Sequence, residues 1–325
     1  MNGTVNQDIK VYAGATGRDL HIDAPLTNLS TAYRPVGLIA DQIYPVVPVG
    51  KQNDNYYTWT KADWLRVPNA ARSRGAPSNR IQFSVSSDTY FAKEFSLAME
   101  LPIEDVVNAD VGLDVLGAGA AFLKDALSLA WEDRLAVTLT TTTNMGSSTS
   151  LTNRWSDPIA GTPIDDIYTG FESIRLTTGQ VPTVMIFSGI AWNNFRKHPD
   201  VVSFVRGAGD NRGGGPVTQE QVAAAFGTRA VLIGAGVKNS ASENAPASFI
   251  DIWSTSCILL HVAAAPGRMV PSHGYTFQWR VPGAPAPMVV DRYSIRDRRV
   301  EVLETCHYQD EKVTGTDLGY MIVNC

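Results

Sequence analysis

"IEDVVNADVGLDVLGAGAAFLKDALSLAWEDRLAVT", residues 103–138, carries the long helical period of this chain. Leu113, Leu116, Ala120, Leu123, Leu127, Trp131 and Leu135 recur at spacings of three and four, which lines them up on one helix face. Gly112, Gly117 and Gly119 weaken the first half, so a bend or close packing is expected there. Uninterrupted, at ~1.5 Å per residue, such a helix runs ~50 Å and acts as the spine of a domain. Glu100, Glu104, Asp105, Asp110 and Asp114 crowd its start. Acids favoured by the positive end of the helix dipole explain them more simply than a metal or acid/base site. "TLTTTTNMGSSTSLTN" (138–153) then breaks the period and reads as a loop.

Upstream, "QNDNYYTWTKADWLR" (52–66) and "RIQFSVSSDTYFAKEFSL" (80–97) both alternate. Tyr57, Trp59 and Lys61 share one face, as do Ile81, Phe83 and Val85, which is strand periodicity. "VPNAARSRGAPSN" (67–79) between them cannot continue a strand. The pattern predicts a long hairpin with a basic, mobile tip bearing Arg72, Arg74 and Arg80. A two-stranded hairpin is marginal in water by itself, so it must pack on its own body or on a neighbour. Residues 1–45 show no period and scattered apolar anchors, which predicts an extended arm lying on something else.

Downstream, residues 160–285 read as a mixed α/β block. Thr162-Pro163-Ile164-Asp165 is a helix start, and Ser188 caps a short helix after "PTVMIFS". Pro199 begins another helix, and Thr218 with Gln221 forms a capping box closed by Gly227. "RAVLIGAGV", "SFIDIWS" and "SCILLHVA" read as strands. The end of the chain returns to β with "YTFQWRVP", "PMVVDRYSI", "RRVEVLETCHYQDEKVT" and "LGYMIVNC".

Chemistry is sparse. His261 and His273 have no carboxylate or Cys at metal-ligand spacing and read as structural histidines. His198-Pro199-Asp200 reads as a helix junction. "GAGDNRGGG" lacks the GK[ST] ending of a phosphate loop, and no GxSxG elbow occurs. No nucleophile, base and oxyanion donors assemble, so neither an enzyme nor a cofactor or metal site is expected. A net charge of −5 argues against a dedicated nucleic-acid binder. The three cysteines are few, odd in number and far apart, which fits a reducing compartment. No signal peptide starts the chain, and no apolar run approaches the ~20 residues that span a bilayer, so no membrane partner is expected.

Taken in order, "ADQIYPVVPVGKQNDNYYTWTKADWLR", "SSDTYFAKEFSLAMELPIEDVVNAD", "YTFQWRVPGAPAP" and "DEKVTGTDLGYMIVN" resemble the major capsid proteins of tailed bacteriophages with the Hong Kong 97-type fold. The resemblance spans nearly the whole chain. It implies an α+β architecture with an N-terminal arm (1–48), an E-loop hairpin (49–97), a P domain (98–159 and 286–312, spine helix about 103–140) and an A domain (160–285 and 313–325). The implied function is a shell of pentamers and hexamers enclosing double-stranded DNA in a virion, assembled in the bacterial host cytoplasm. The hairpin, through Tyr57, Trp59, Ile81, Phe83 and the Arg72, Arg74 and Arg80 tip, would lie across a neighbour's spine helix, whose Glu104, Asp105 and Asp110 are electrostatic partners for the arginines. The prolines of "IADQIYPVVPVG" (39–50) would hold residues 43–49 extended, and Tyr56 to Trp59 would begin the partner-facing hairpin.

The resemblance further implies a separate scaffolding protein, since the arm starts at once after Met1, a portal at one vertex, a decoration protein and non-specific contact with packaged DNA. No motif marks Lys51 or Lys61 for the cross-link some relatives form. An encapsulin-type nanocompartment shares this fold and is the alternative, distinguished by cargo and the lack of a portal. A tail or decoration protein would not close shells alone, and a hydrolytic enzyme would run as a monomer.

Overall fold

Strands Val184–Ser188 and Ser256–Leu260 are buried along their whole length and form the heart of a five-stranded sheet. The order is Ser147–Ser150, Gly319–Val323, Ser256–Leu260, Val184–Ser188, Ala230–Gly234. Both outer pairings are parallel and both central ones antiparallel. Continuous apolar runs suit strands covered on both faces. The computed structural model describes residues 34–109, 114–206, 216–242, 244–280 and 288–325.

The helices beside this sheet begin and end where the sequence signals lie. Pro163–Thr178 starts on its proline and stops at Gly179 in the left-handed region, φ 72°. Ser188 Oγ accepts from the Ala191 amide to open Gly189–Phe195. Thr218 and Gln221 form the capping box of Gln219–Phe226, and Gly227 closes it at φ 68°. Pro199–Arg206 completes the set. Trp155, Phe187, Trp192, Phe195, Leu259 and Tyr320 fill the core between sheet and helices. A Cβ on Gly170 would lie 2.5 Å from Leu259 and 2.7 Å from Tyr320, so the bare backbone lets its helix lie close on the sheet.

The described residues divide into two compact units. One holds Arg34, Pro35, 94–130 and 280–308, and the other 36–93, 131–279 and 309–325. In the first, Val289–Ile295 pairs antiparallel with the strand Val300–Val313, from Val289 opposite Cys306 to Ile295 opposite Val300. Strand Lys93–Pro102 pairs with the same strand. Leu101, Val115, Leu123 and Leu303 form the small core of this unit. Gly119 sits where a Cβ would come within 3.1 Å of Leu303 and 3.4 Å of Met99, the close packing its sequence position suggests.

Three expectations are corrected. The spine is not one helix over 103–140: Ile103–Asn108 ends at Ala109, which is extended (ψ 138°), and a second helix runs Val115–Thr140, 26 residues or about 39 Å. Asp114 Oδ1 accepts from the Gly117 amide in its first turn. The serine run read as loop contributes strand Ser147–Ser150, because Gly319–Val323 offers it a ladder that local propensity cannot reveal. Residue 43, expected to begin the extended stretch 43–49, instead closes one helical turn, Ala40–Ile43. The chain is then extended through strand Val46–Val49, parallel to Gly274–Trp279. Asp110, Leu113 and most of the arm lie outside the described residues, as do Gly112 and the glycine-rich run 207–215.

Candidate subunit interface

The hairpin pairs Asn53–Trp59 with Val85–Phe91, Asn53 opposite Phe91 and Trp59 opposite Val85. Residues directly opposite share a face. Tyr56, Asp88 and Tyr90 therefore lie on one side, and Tyr57, Trp59, Val85 and Phe91 on the other.

The first face is docked on its own unit. The Tyr56 and Tyr90 rings lie 5.4 and 4.5 Å from Phe277, the second stacked. Tyr56 donates its hydroxyl to Asp88 at 2.9 Å, and Lys312 Nζ lies 3.2 Å from the same carboxylate. The Thr89 amide and the Tyr56 hydroxyl hold the Asp88 carboxyl below the ordinary range, and burial beside that carboxylate pushes the Tyr56 phenol up. Asp310 accepts from the Phe91 amide at 3.0 Å, and Lys61 pairs with Asp317.

The second face has no such cover. Tyr57 is 64% exposed, Val85 and Phe91 are each 48% exposed, and Trp59 is half-buried beside Tyr57. The division between self-packing and outward-facing side chains thus runs between the two faces of one strand, not at a point along the chain as the composition suggests. Tyr56 belongs to the body and Tyr57 does not.

Ile81 and Phe83 are 76% and 64% exposed, but neither stands on a strand. The first strand ends at Trp59 and turns into the helical turn Lys61–Trp64, leaving residues 80–84 nothing to pair with. Asp63 instead accepts from the Ser84 amide at 2.8 Å, and Asn79 donates to the Asn69 carbonyl at 2.6 Å. Arg66, Arg72, Arg74 and Arg80 are all exposed, with no acidic residue between Asp63 and Asp88. No ion pair holds them among the described residues. Their charge therefore faces outward.

Of the acids assigned to the spine start, Glu104 is exposed in the first turn of Ile103–Asn108, but Asp105 is buried and does not present its carboxylate at the surface. Asp105 is the one buried residue of that short helix.

The most elaborate polar site was not singled out by sequence reasoning. Glu132, fully buried in the long helix, accepts from the Ile39 and Ala40 amides at 2.8 and 2.7 Å and from the Trp253 indole N–H at 2.6 Å. Burial pushes its carboxyl up, against the pull of the three donors. The available signal was position: Glu132 lies three and four residues before Leu135 and Ala136, on the apolar stripe. Nearby in the same unit, Tyr44 Oη and His273 Nδ1 are 2.6 Å apart, and His273 Nε2 is 3.0 Å from the Asn144 carbonyl. Among the described residues, no group of three or more His, Cys, Asp or Glu side chains could hold a metal ion. No described helix is long and apolar enough to cross a membrane.

No protein-family model matches the chain. The major capsid protein of Pseudomonas phage JBD67 is 28% identical over 313 residues, covering 93% of this chain and 96% of that protein. Among solved structures, a phage-related protein from Bordetella bronchiseptica superposes with a TM-score of 0.66 at 22% identity, over 93% of this chain and 97% of that one. The capsid of cyanophage P-SCSP1u gives 0.59 at 8% identity, over 96% and 95%. The SrpI encapsulin of Synechococcus elongatus gives 0.54 at 13% identity, over 94% and 95%. The fold is the Hong Kong 97-type capsid fold.

Proposed function

We infer that this chain is the major capsid protein of a tailed phage, identical copies of which close into pentamers and hexamers of an icosahedral head around double-stranded DNA. The observation that carries this is the end-to-end sequence match to a phage major capsid protein, 93% of one chain against 96% of the other, on a shell-forming fold. A fold alone does not give a function. The match in sequence order adds what the fold lacks, and favours a phage head over the encapsulin reading that the fold also admits.

In this reading the outer face of the hairpin is the contact with a second copy. Tyr57, Trp59, Ile81 and Phe83 supply apolar area, and Arg72, Arg74 and Arg80 supply charge toward an acidic neighbour surface that includes Glu104. Contacts of this head-to-tail kind generate closed rings when the rotation closes. Asp105, being buried, drops out of the pairing as a surface partner. The chain's role is structural, its place is the virion, and assembly occurs in the host cytoplasm with a scaffolding protein, around a portal, with a decoration protein and packaged DNA as further partners.

Electron microscopy of the full chain, expressed with and without its scaffolding protein, tests the reading. Closed shells with fivefold and sixfold capsomers are expected. A particle that stays monomeric under both conditions overturns it. Shells carrying a host enzyme and no portal vertex would replace it by the nanocompartment.

A further inference from the structure

His273 is fully buried, and its ring is pinned at both nitrogens. A carbonyl can only accept, so Nε2 carries the hydrogen donated to Asn144, and Nδ1 is the bare nitrogen that accepts the Tyr44 hydroxyl. Two glycines make room for the pair. A Cβ on Gly274 would run into the Tyr44 ring, and one on Gly319 would lie within 2.7 Å of the His273 ring and Met145. The pin joins three stretches: Tyr44, just before strand Val46–Val49; His273, just before its parallel partner Gly274–Trp279; and the turn after the long helix at Asn144.

We propose that Tyr44, His273 and Asn144 form an acid-sensitive pin, and that protonation of His273 loosens the paired strands Val46–Val49 and Gly274–Trp279 while the other sheet, which holds Val184–Ser188 and Ser256–Leu260, stays intact. The added proton comes from solvent and must sit on Nδ1, the only free ring position. There it faces the Tyr44 oxygen, whose own hydrogen must then turn away into a buried site.

Among the described residues, no charged side chain bonds the ring. The groups around the ring are the Tyr44 hydroxyl, the Asn144 carbonyl, Met145 and Gly319. Asp317, the charged residue of the packed 314–319 segment, is engaged by Lys61. His261, whose carbonyl accepts from the His273 amide, has its own ring Nδ1 2.6 Å from the Val181 carbonyl. Burial pushes the imidazole down to about 4, consistent with a cation that has no partner here. Glu132 holds Ile39 and Ala40, and its carboxyl is shifted the other way, so acid does not loosen that end. The loosening is therefore confined to the stretch after Tyr44, the part that leads into the hairpin.

Hydrogen–deuterium exchange of the full chain at pH 7.5 and 5.0, corrected for intrinsic exchange, reads this directly. Opening of peptides covering 45–49 and 274–279 should rise about thirtyfold at pH 5.0, from the free imidazole value of 6.5 and the pinned value of about 4. Peptides covering 184–188 and 256–260 should not change. His273→Gln, neutral at both pH values, should abolish the step. If that variant does not fold, Tyr44→Phe should already exchange fast at pH 7.5. No step in the wild-type chain, a step shared by 184–188 and 256–260, or a step retained in His273→Gln overturns the proposal.

Discussion

Glu132 shows how one side chain can organise a region that no motif announces. Its carboxylate satisfies two amides of a helical turn and one indole, none of which has water to turn to. Glu132→Ala strands all three donors, and urea denaturation of dissociated protomers should show a loss of about 3 kcal/mol or more. Gly274→Ala forces a Cβ into the Tyr44 ring and should cost roughly 2 kcal/mol in the same assay. His273 gives a pH dependence whose sign follows from its lowered pKa. Its contribution is complete above 6.5 and is lost as pH falls toward about 4, a total of about 3 kcal/mol. Glu132, with a raised pKa, works in the opposite sense. The His273 part is therefore read as the difference between wild type and His273→Gln across that window. The identities of these residues are plain in the sequence, but their roles are not. A buried acid in the interior of a helix is marked in one dimension only by its place on the apolar stripe, which does not say what it will bond.

The hairpin is the element where self and partner meet. Alternation in 53–59 and 85–91 is legible because a pleated strand turns successive side chains to opposite faces. Which face docks on Phe277 is not legible, since Tyr56 and Tyr57 are chemically the same residue. The two faces predict opposite phenotypes. Phe277→Ala should destabilise the protomer by about 3 kcal/mol, because it removes the ring on which Tyr56 and Tyr90 rest. Tyr57→Ala with Phe83→Ala should leave the urea midpoint of the protomer unchanged and lower the yield of closed shells seen by electron microscopy. Loss of protomer stability in that double variant would place these residues in the body. The spine teaches a related lesson. Its glycines predict a bend or close packing: Gly119 serves close packing on Leu303, and Gly112 lies outside the described residues.

At the scale of the whole molecule, the arginine tip is charge that no ion pair among the described residues answers. Arg72→Glu with Arg74→Glu should reduce shell formation, and raising salt toward ~1 M, where the screening length falls to ~3 Å, should weaken wild-type assembly in the same direction. Each exposed pair contributes only ~0.2–1 kcal/mol, but a closed shell repeats it at every equivalent contact. Unchanged assembly in the charge-reversed variant would remove the arginines from the interface. What the sequence by itself determined is most of the elements and their order: caps at Ser188, Thr218 and Gly227, four of the five strands of the sheet around Ser256–Leu260, and the hairpin strands 53–59 and 85–91. These follow from local rules, because a cap or an alternating strand acts within a few residues of itself. Only the tertiary structure decided that the serine run 147–150 is a strand, that Glu132 and His273 are buried anchors, and that one face of the hairpin belongs to its own body. Each depends on a partner tens to hundreds of residues away, and local propensity carries no record of which distant group will arrive to satisfy a buried donor or cover a ring.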